Sequence, residues 1–171
     1  MGICCNRGVS SPDRKNKALD DELEQENRKR AEDVIRLGIE AQEKGDAIVA
    51  LEAYDKALEI LPGFSVALLR RGSLRLMTGN PEIALKDFDT VIASDPKDSR
   101  AYAYRGLCYQ GMGLDEQAVD AFSAAIEIKE APSTYQCRGW SYRRMGKHEL
   151  AMEDFQRAVA LTEAAKNAGT N

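Results

Sequence analysis

Apolar residues recur three and four positions apart through most of the chain, the spacing of one helical face rather than of a strand. No such period is present before about Ala18. Leu68, Gly72 and Leu76 mark one helix, and Ile83, Ala84, Phe88, Val91 and Ile92 mark the next. Between them, Gly79-Asn80-Pro81 supplies a helix stop, a capping side chain and a proline suited to a first helical turn. Asp95-Pro96 ends the pair. The same plan places Gly45-Asp46 before a helix over 48–61 closed by Pro62, Gly113–Asp115 before one over 118–128, and Gly146 before one over 150–161.

These helix pairs are copies of one unit. Gly38, Gly72, Gly106 and Gly139 stand 34, 34 and 33 residues apart. Seven residues after each comes a second glycine (Gly45, Gly79, Gly113, Gly146), five further on an alanine (Ala50, Ala84, Ala118, Ala151), and four beyond that an aromatic (Tyr54, Phe88, Phe122, Phe155). A fixed period of this length means a supersecondary unit stacked on itself. The first glycine of each frame lies mid-helix, where it costs about 1 kcal/mol relative to alanine. A cost met four times predicts close helix–helix approach, with the aromatic of the second helix filling the space.

The frame Tyr-x-x-Arg-Gly-x-x-Tyr-x-x-x-Gly-x-x-x-x-Ala-x-x-x-Phe-x-x-Ala runs over Tyr102–Ala125 and again over Tyr135–Ala158. It resembles the tetratricopeptide repeat (TPR) family across residues 31–165. The resemblance implies an all-α, right-handed superhelical solenoid of four helix-turn-helix repeats, over 31–64, 65–98, 99–131 and 132–165. Units three and four lack the usual closing proline, and Pro132 opens the fourth.

Composition narrows the class. The chain has 171 residues, enough for one domain with a tail, and contains no apolar run of the length that crosses a bilayer. Nor does a signal-peptide hydrophobic stretch follow Met1. A net charge of −4 argues against general nucleic-acid binding. Two of the four cysteines, Cys108 and Cys137, fall inside repeat helices, too sparse for a secreted disulfide framework. These features predict a soluble, intracellular helical solenoid.

Residues 1–17 are different material. Met1-Gly2 resembles an N-myristoylation signal acylating Gly2, although Asn6 replaces the usual Ser or Thr, and the adjacent Cys4 and Cys5 resemble S-palmitoylation acceptors. One myristoyl chain holds a protein only marginally at a membrane, and a second chain or a basic patch makes residence stable. Arg7, Arg14, Lys15 and Lys17 against Asp13 give this segment a side-chain charge of +3. The expectation is a disordered, lipidated basic tail at the cytoplasmic face of a membrane, the plasma membrane first. Residues 18–30 read as a charged helical extension of the first repeat; the alternative is that a small apolar stripe of Leu19 and Leu23 folds back onto the solenoid. Residues 166–171 read as a polar tail.

In the TPR family the first helix of each unit lines the concave face. Carried over, the resemblance implies inward positions at Ile35, Arg36, Ile39 and Gln42, then Leu69, Arg70, Ser73, Leu76 and Met77. The third unit adds Arg100, Tyr104, Leu107 and Gln110, and the fourth Gln136, Cys137, Trp140, Arg143 and Arg144. The implied groove is an apolar floor of Ile39, Leu69, Leu76, Met77, Tyr104, Leu107 and Trp140, with Arg70, Arg100, Arg143 and Arg144 around it. It suits a peptide or helix with apolar anchors and acidic residues, and Trp140 and Arg143 are of the types that dominate binding hot spots. The chaperone-binding members grip a C-terminal carboxylate at places that here hold Ile35, Ile39, Arg70, Arg100 and Tyr104. Only Arg100 offers a comparable cation in its expected place, so capture of a heat-shock chaperone tail is not expected.

A second set of arginines, Arg71, Arg105 and Arg138, directly precedes the mid-helix glycines. Asp87 and Asp154 directly precede the aromatics of units two and four, and unit one lacks both charges. This pairing predicts internal Arg–Asp bridges. In unit three Arg105 faces Ala121, so it is either repaired by Asp120, the favoured expectation, or free to meet a ligand.

No catalytic or metal-binding constellation stands out. His148 is the single histidine, Cys137 has no evident base, and no Cys-x-x-Cys, phosphate loop or metal-spaced cluster occurs. No cofactor, metal or small-molecule substrate is expected. The leading expectation is a non-enzymatic, membrane-anchored adaptor that binds a protein segment in its groove. The alternative is a soluble assembly subunit or co-chaperone without a lipid anchor, and self-association through the uncapped last repeat is a third possibility.

Overall fold

The computed structural model describes residues 12–168, which form eight helices and no strand. They run α1 (Pro12–Glu43), α2 (Ala47–Ile60), α3 (Ser65–Met77), α4 (Pro81–Ser94), α5 (Ser99–Gly111), α6 (Asp115–Ile128), α7 (Pro132–Arg144) and α8 (His148–Ala168). Each odd-numbered helix packs against the even-numbered one that follows, and each pair packs on the next. The first helices α3, α5 and α7 also touch in succession. The result is the four-unit solenoid.

Local chemistry sets the helix boundaries. Gly45, Gly79, Gly113 and Gly146, at φ +82°, +83°, +76° and +75°, occupy the left-handed region that ends the first helix of each unit. Asp46 caps α2 by accepting from the Val49 amide at 3.2 Å, and Asp98 caps α5 by accepting from the amides of Arg100 and Ala101. Pro81 and Pro132 stand in the first turns of α4 and α7, where the missing N–H costs nothing. Asn80 departs from expectation: it holds the capping place of α4, but its side chain turns back and donates to the Thr78 carbonyl at 3.2 Å.

The mid-helix glycines do what their recurrence predicts. A Cβ added to Gly38 would lie 2.7 Å from the Tyr54 ring, one on Gly72 2.7 Å from Phe88, one on Gly106 2.5 Å from Phe122, and one on Gly139 2.7 Å from Phe155. Tyr54, Phe88 and Phe122 are fully buried. One edge of the ring of the second helix therefore abuts the backbone of the first, and only glycine leaves room.

Two termini depart from the expected organisation. Helix α1 begins at Pro12, inside the segment read as an unstructured tail, and continues unbroken through 18–30 into the first unit. Its basic residues Arg14, Lys15 and Lys17 thus belong to the first turns of a helix. At the other end α8 runs to Ala168, so the expected polar tail from 166 begins inside a helix. Gly2, Cys4, Cys5 and Arg7 lie outside the described residues.

Gly106 and Gly111 are both in α5 but meet different surroundings. The nearest side-chain atom to a Cβ on Gly111 is Pro81 Cβ at 3.5 Å, an ordinary contact. Gly106→Ala gains about 1 kcal/mol of helix propensity but drives three Phe122 ring atoms inside 3.0 Å, an overpacking penalty near the top of the roughly 1–3 kcal/mol range. Denaturant melts should show Gly106→Ala destabilised by about 2 kcal/mol and Gly111→Ala unchanged or stabilised. The reverse order would contradict this packing.

Candidate functional site

Three arginines before the mid-helix glycines share a slot between units. Arg71 grips Asp87 with two hydrogen bonds, Nε–Oδ2 at 3.1 Å and Nη2–Oδ1 at 2.6 Å, and reaches back to Asp55 of the preceding unit at 2.6 Å. Arg138 repeats this on Asp154, at 2.9 and 2.7 Å, and reaches back to the Ser123 hydroxyl at 3.0 Å. In each unit the cation joins the residue before its own aromatic to the residue after the preceding unit's aromatic. Bidentate geometry suits this burial, because a planar guanidinium satisfies both carboxylate oxygens at once. The hydrogen bond to Asp154 raises the Arg138 pKa despite burial. Arg71 is raised as well: burial opposes its charge, and the hydrogen bonds to Asp87 and Asp55 overcome that.

Arg105 occupies the slot with half its partners. Ala121 stands where Asp87 and Asp154 stand in the neighbouring units, and Asp120 does not repair the gap. The cation instead approaches Asp89 of the preceding unit at 3.7 Å and lies 5.0 Å over the Tyr102 ring. Its Nε is buried without a partner. Arg105 thus serves the stack in an incomplete copy of the slot.

The proposed groove residues separate into four groups. Ile35 and Leu69 are buried, at 4% and 7% exposure, and pack into the core; neither forms an open floor. Ile39 is half-buried against the first core cluster. Arg36 is paired with Asp33, Gln42 accepts from the Tyr54 hydroxyl, and Gln110 donates to the Cys137 carbonyl and the Ser141 hydroxyl. Arg144 donates to the Gln110 carbonyl and pairs with Asp115 at 3.2 Å. These polar groups already serve the fold. Arg70, Met77 and Gln136 are exposed, while Trp140 and Arg143 lie at the far end of the stack.

Arg100, Tyr104, Leu107 and Cys137 come together. With Ser99, Ala103, Phe122, Lys129, Ala131, Ser133 and Thr134 they line a cavity of about 380 Å³ between units three and four. Its walls are α5 and α7, and the α6–α7 linker closes one side. Tyr104 is fixed by stacking on Phe88, with ring centres 5.0 Å apart and planes 8° from parallel. Arg100 is tied to Asp98 at 2.7 and 3.1 Å, and its side-chain hydrogen bond holds the Asp98 carboxyl below its usual range. The second cation at the mouth, Lys129, is exposed and enters no ion pair among the described residues. The cavity thus offers apolar walls, small hydroxyls and a cationic rim, the features of a site that fixes a ligand by a few polar contacts.

Neither repeat-helix thiol is primed for chemistry. Burial pushes Cys108 up to about 12, and burial also raises Cys137. Both are therefore neutral thiols near pH 7, the unreactive form. Among the described residues no group of three or more His, Cys, Asp or Glu could hold a metal ion, and no helix is long and apolar enough to cross a membrane.

Two family models, each describing a tetratricopeptide repeat, match residues 69–133 and 133–164. The chain belongs to the tetratricopeptide repeat family. It is 26% identical over 104 residues to the small glutamine-rich tetratricopeptide repeat-containing protein 2 of Saccharomyces cerevisiae, covering 61% of this chain and 30% of that protein. It is 29% identical over 112 residues to Hsc70-interacting protein 1 of Drosophila melanogaster, covering 66% of this chain and 28% of that one. The TPR chain thus spans less than a third of the length of these relatives. Among solved structures it is similar to MamA (41-end) from Desulfovibrio magneticus RS-1, with a TM-score of 0.72 and 29% identity over 78% of this chain and 76% of that one.

Sequence reasoning missed Lys129, Ala103 and Thr134 as cavity residues. Lys129 lies in the linker, outside the first helices on which the family resemblance fixes attention. The chain leaves α6 at Lys129 in an extended conformation (φ −155°, ψ 118°), much as it leaves α4 at Asp95 ahead of Pro96, so nothing in the sequence singled this position out. For the arginine slot, Ala121→Asp supplies the absent carboxylate to Arg105. It should raise unfolding stability by about 1.5–3 kcal/mol, the scale of a hydrogen bond to a charged group. A loss of stability in the denaturant midpoint would show that the unit-three slot is not equivalent to the others.

Proposed function

We infer that this chain is a protein-interaction adaptor that works as an assembly subunit or co-chaperone, and that its partner seats an apolar side chain and an adjacent acidic group in the cavity between units three and four. The cavity carries the reading: fixed apolar walls from Tyr104, Leu107 and Phe122 lie beneath a rim bearing Arg100 and Lys129. Apolar burial supplies affinity, and the rim cations select an acidic neighbour and raise the encounter rate. The names of the relatives support chaperone-linked work, since one is called an Hsc70-interacting protein. The places that grip a chaperone's terminal carboxylate in other family members do not form a cluster of free cations here. Ile35 is buried, Ile39 is half-buried, and Arg100 is held by Asp98. A chaperone partner would therefore be met through the cavity rather than through a carboxylate clamp.

Isothermal titration of purified full-length Hsc70 into the chain tests this. The account expects binding that falls at least tenfold in the Leu107→Glu, Lys129→Ala double variant, with the helical melt retained. Equal binding by wild type and variant would place the contact elsewhere, and no binding to either would remove Hsc70 as the partner.

A second reading, the membrane-anchored adaptor, rests on Gly2, Cys4, Cys5 and the basic residues up to Lys17. The relatives support the assembly or co-chaperone reading more directly, and acylation stands on these residues alone. If it occurs, myristate on Gly2 and palmitate on Cys4 or Cys5 supply the two signals that stable attachment needs. Cell fractionation then gives membrane-bound wild type, soluble Gly2→Ala, and weak, reversible attachment for Cys4→Ser with Cys5→Ser. Unchanged membrane attachment of Gly2→Ala would rule out a myristoyl anchor.

A further inference from the structure

Among the described residues the two ends of the solenoid are unpartnered, and they are chemically complementary. Helix α1 has 32 residues, against 13 in each of α3, α5 and α7. From Leu19 onward its first buried residue is Ala31, and Arg28 lies 5.7 Å over the Phe64 ring, so contact with the stack begins near residue 28. Before that point the helix projects for about 24 Å, at about 1.5 Å per residue. Leu19 and Leu23, one helical turn apart on this projection, are 65% and 56% exposed. Asp20, Asp21, Glu22, Glu24 and Glu26 surround them and are exposed as well.

The other end lacks the cover that every earlier unit receives. The residue four places after the aromatic is Leu58, Ile92 or Ile126 in units one to three, and each is half-buried. Leu58 reaches across to the cluster containing Leu68 and Leu69 of the next unit. The fourth-unit equivalent, Val159, is 55% exposed. Phe155 is only partly buried, where its three counterparts are fully buried. Trp140 packs edge-on against Phe155 with ring centres 5.5 Å apart and remains 51% exposed. Phe155, Gln156, Val159, Ala160 and Glu163 line a shallow depression. Arg143 lies 5.1 Å over the Trp140 ring, exposed, with no ion pair among the described residues.

In units one to three this face receives the first helix of the next unit. No fifth unit follows α8 among the described residues, and α1 lies at the opposite end of the stack from it. We propose that the projecting part of α1 from a second copy of this chain packs on the α7–α8 end, with Leu19 and Leu23 against Trp140, Phe155 and Val159. The acidic side chains beside those leucines then meet the Arg143 cation. The contact joins two different surfaces, so it propagates head to tail, forming an open chain unless its rotation closes a ring. It reuses the unit-to-unit packing within the solenoid, with α1 in the place of a fifth first helix.

Two single-ended variants of the full chain test this by sedimentation equilibrium across a concentration series. Leu19→Glu with Leu23→Glu removes the projecting surface, and Val159→Glu removes the receiving one. All three positions are exposed, and unchanged circular dichroism confirms that each variant folds. The expectation is concentration-dependent self-association of the wild type, weakened at least tenfold in each variant alone. An equimolar mixture of the two variants retains one intact surface of each kind, so it should form heterodimers and nothing larger. A wild type that stays monomeric at the highest concentration overturns the proposal. So does a variant that self-associates as strongly as wild type, or a mixture that stays monomeric while the wild type assembles.

Discussion

Everything in this solenoid depends on an aromatic ring lying against a glycine backbone, four times over. The contact fixes how close the two helices of a unit come, and that distance sets which residues face the next unit. With Phe122 fully buried, the ring contributes about 1.5–3 kcal/mol by burial alone. The helix-propensity cost of Gly106, about 1 kcal/mol, is offset within the same contact. Because each unit meets only its neighbours, stability is close to a sum over units and interfaces. Incomplete members of the series therefore stand out against complete ones.

Two incompletenesses shape the chain's chemistry. The arginine slot is filled on both sides at Arg71 and Arg138 and on one side at Arg105, where Ala121 removes a carboxylate and leaves Nε buried and unpaired. The unit-to-unit face is covered three times and left open at Trp140, Phe155 and Val159. Neither can be understood from one residue alone. Both emerge when a position is compared with its counterparts one period away.

The period, the helix pairs, the glycine stops and the Arg71 and Arg138 bridges were legible in the sequence, because each is a local signal repeated in register. The groove was less legible. Family position places Ile35 and Leu69 on the concave side, but their burial depends on how neighbouring units close over them, which spacing does not encode. Trp140 stood out as a departure from the repeat, yet it lies exposed at the α7–α8 end of the described stack rather than in a central groove. Lys129 was hidden in a linker. The helical start of α1 was missed because Pro12–Lys17 carries no apolar period, although a proline in the first turn suits a helix beginning there.

The central claim is that the glycine and the ring act as one packing unit. A double-mutant cycle in denaturant on Gly106→Ala and Phe122→Leu measures this directly, since the smaller, more adaptable leucine relieves the crowding that a Cβ creates. The account predicts that the double variant is more stable than the sum of the single losses by at least about 1 kcal/mol. Effects that add within about 0.5 kcal/mol would contradict it, and would mean that the repeated glycines are held for some reason other than the rings beside them.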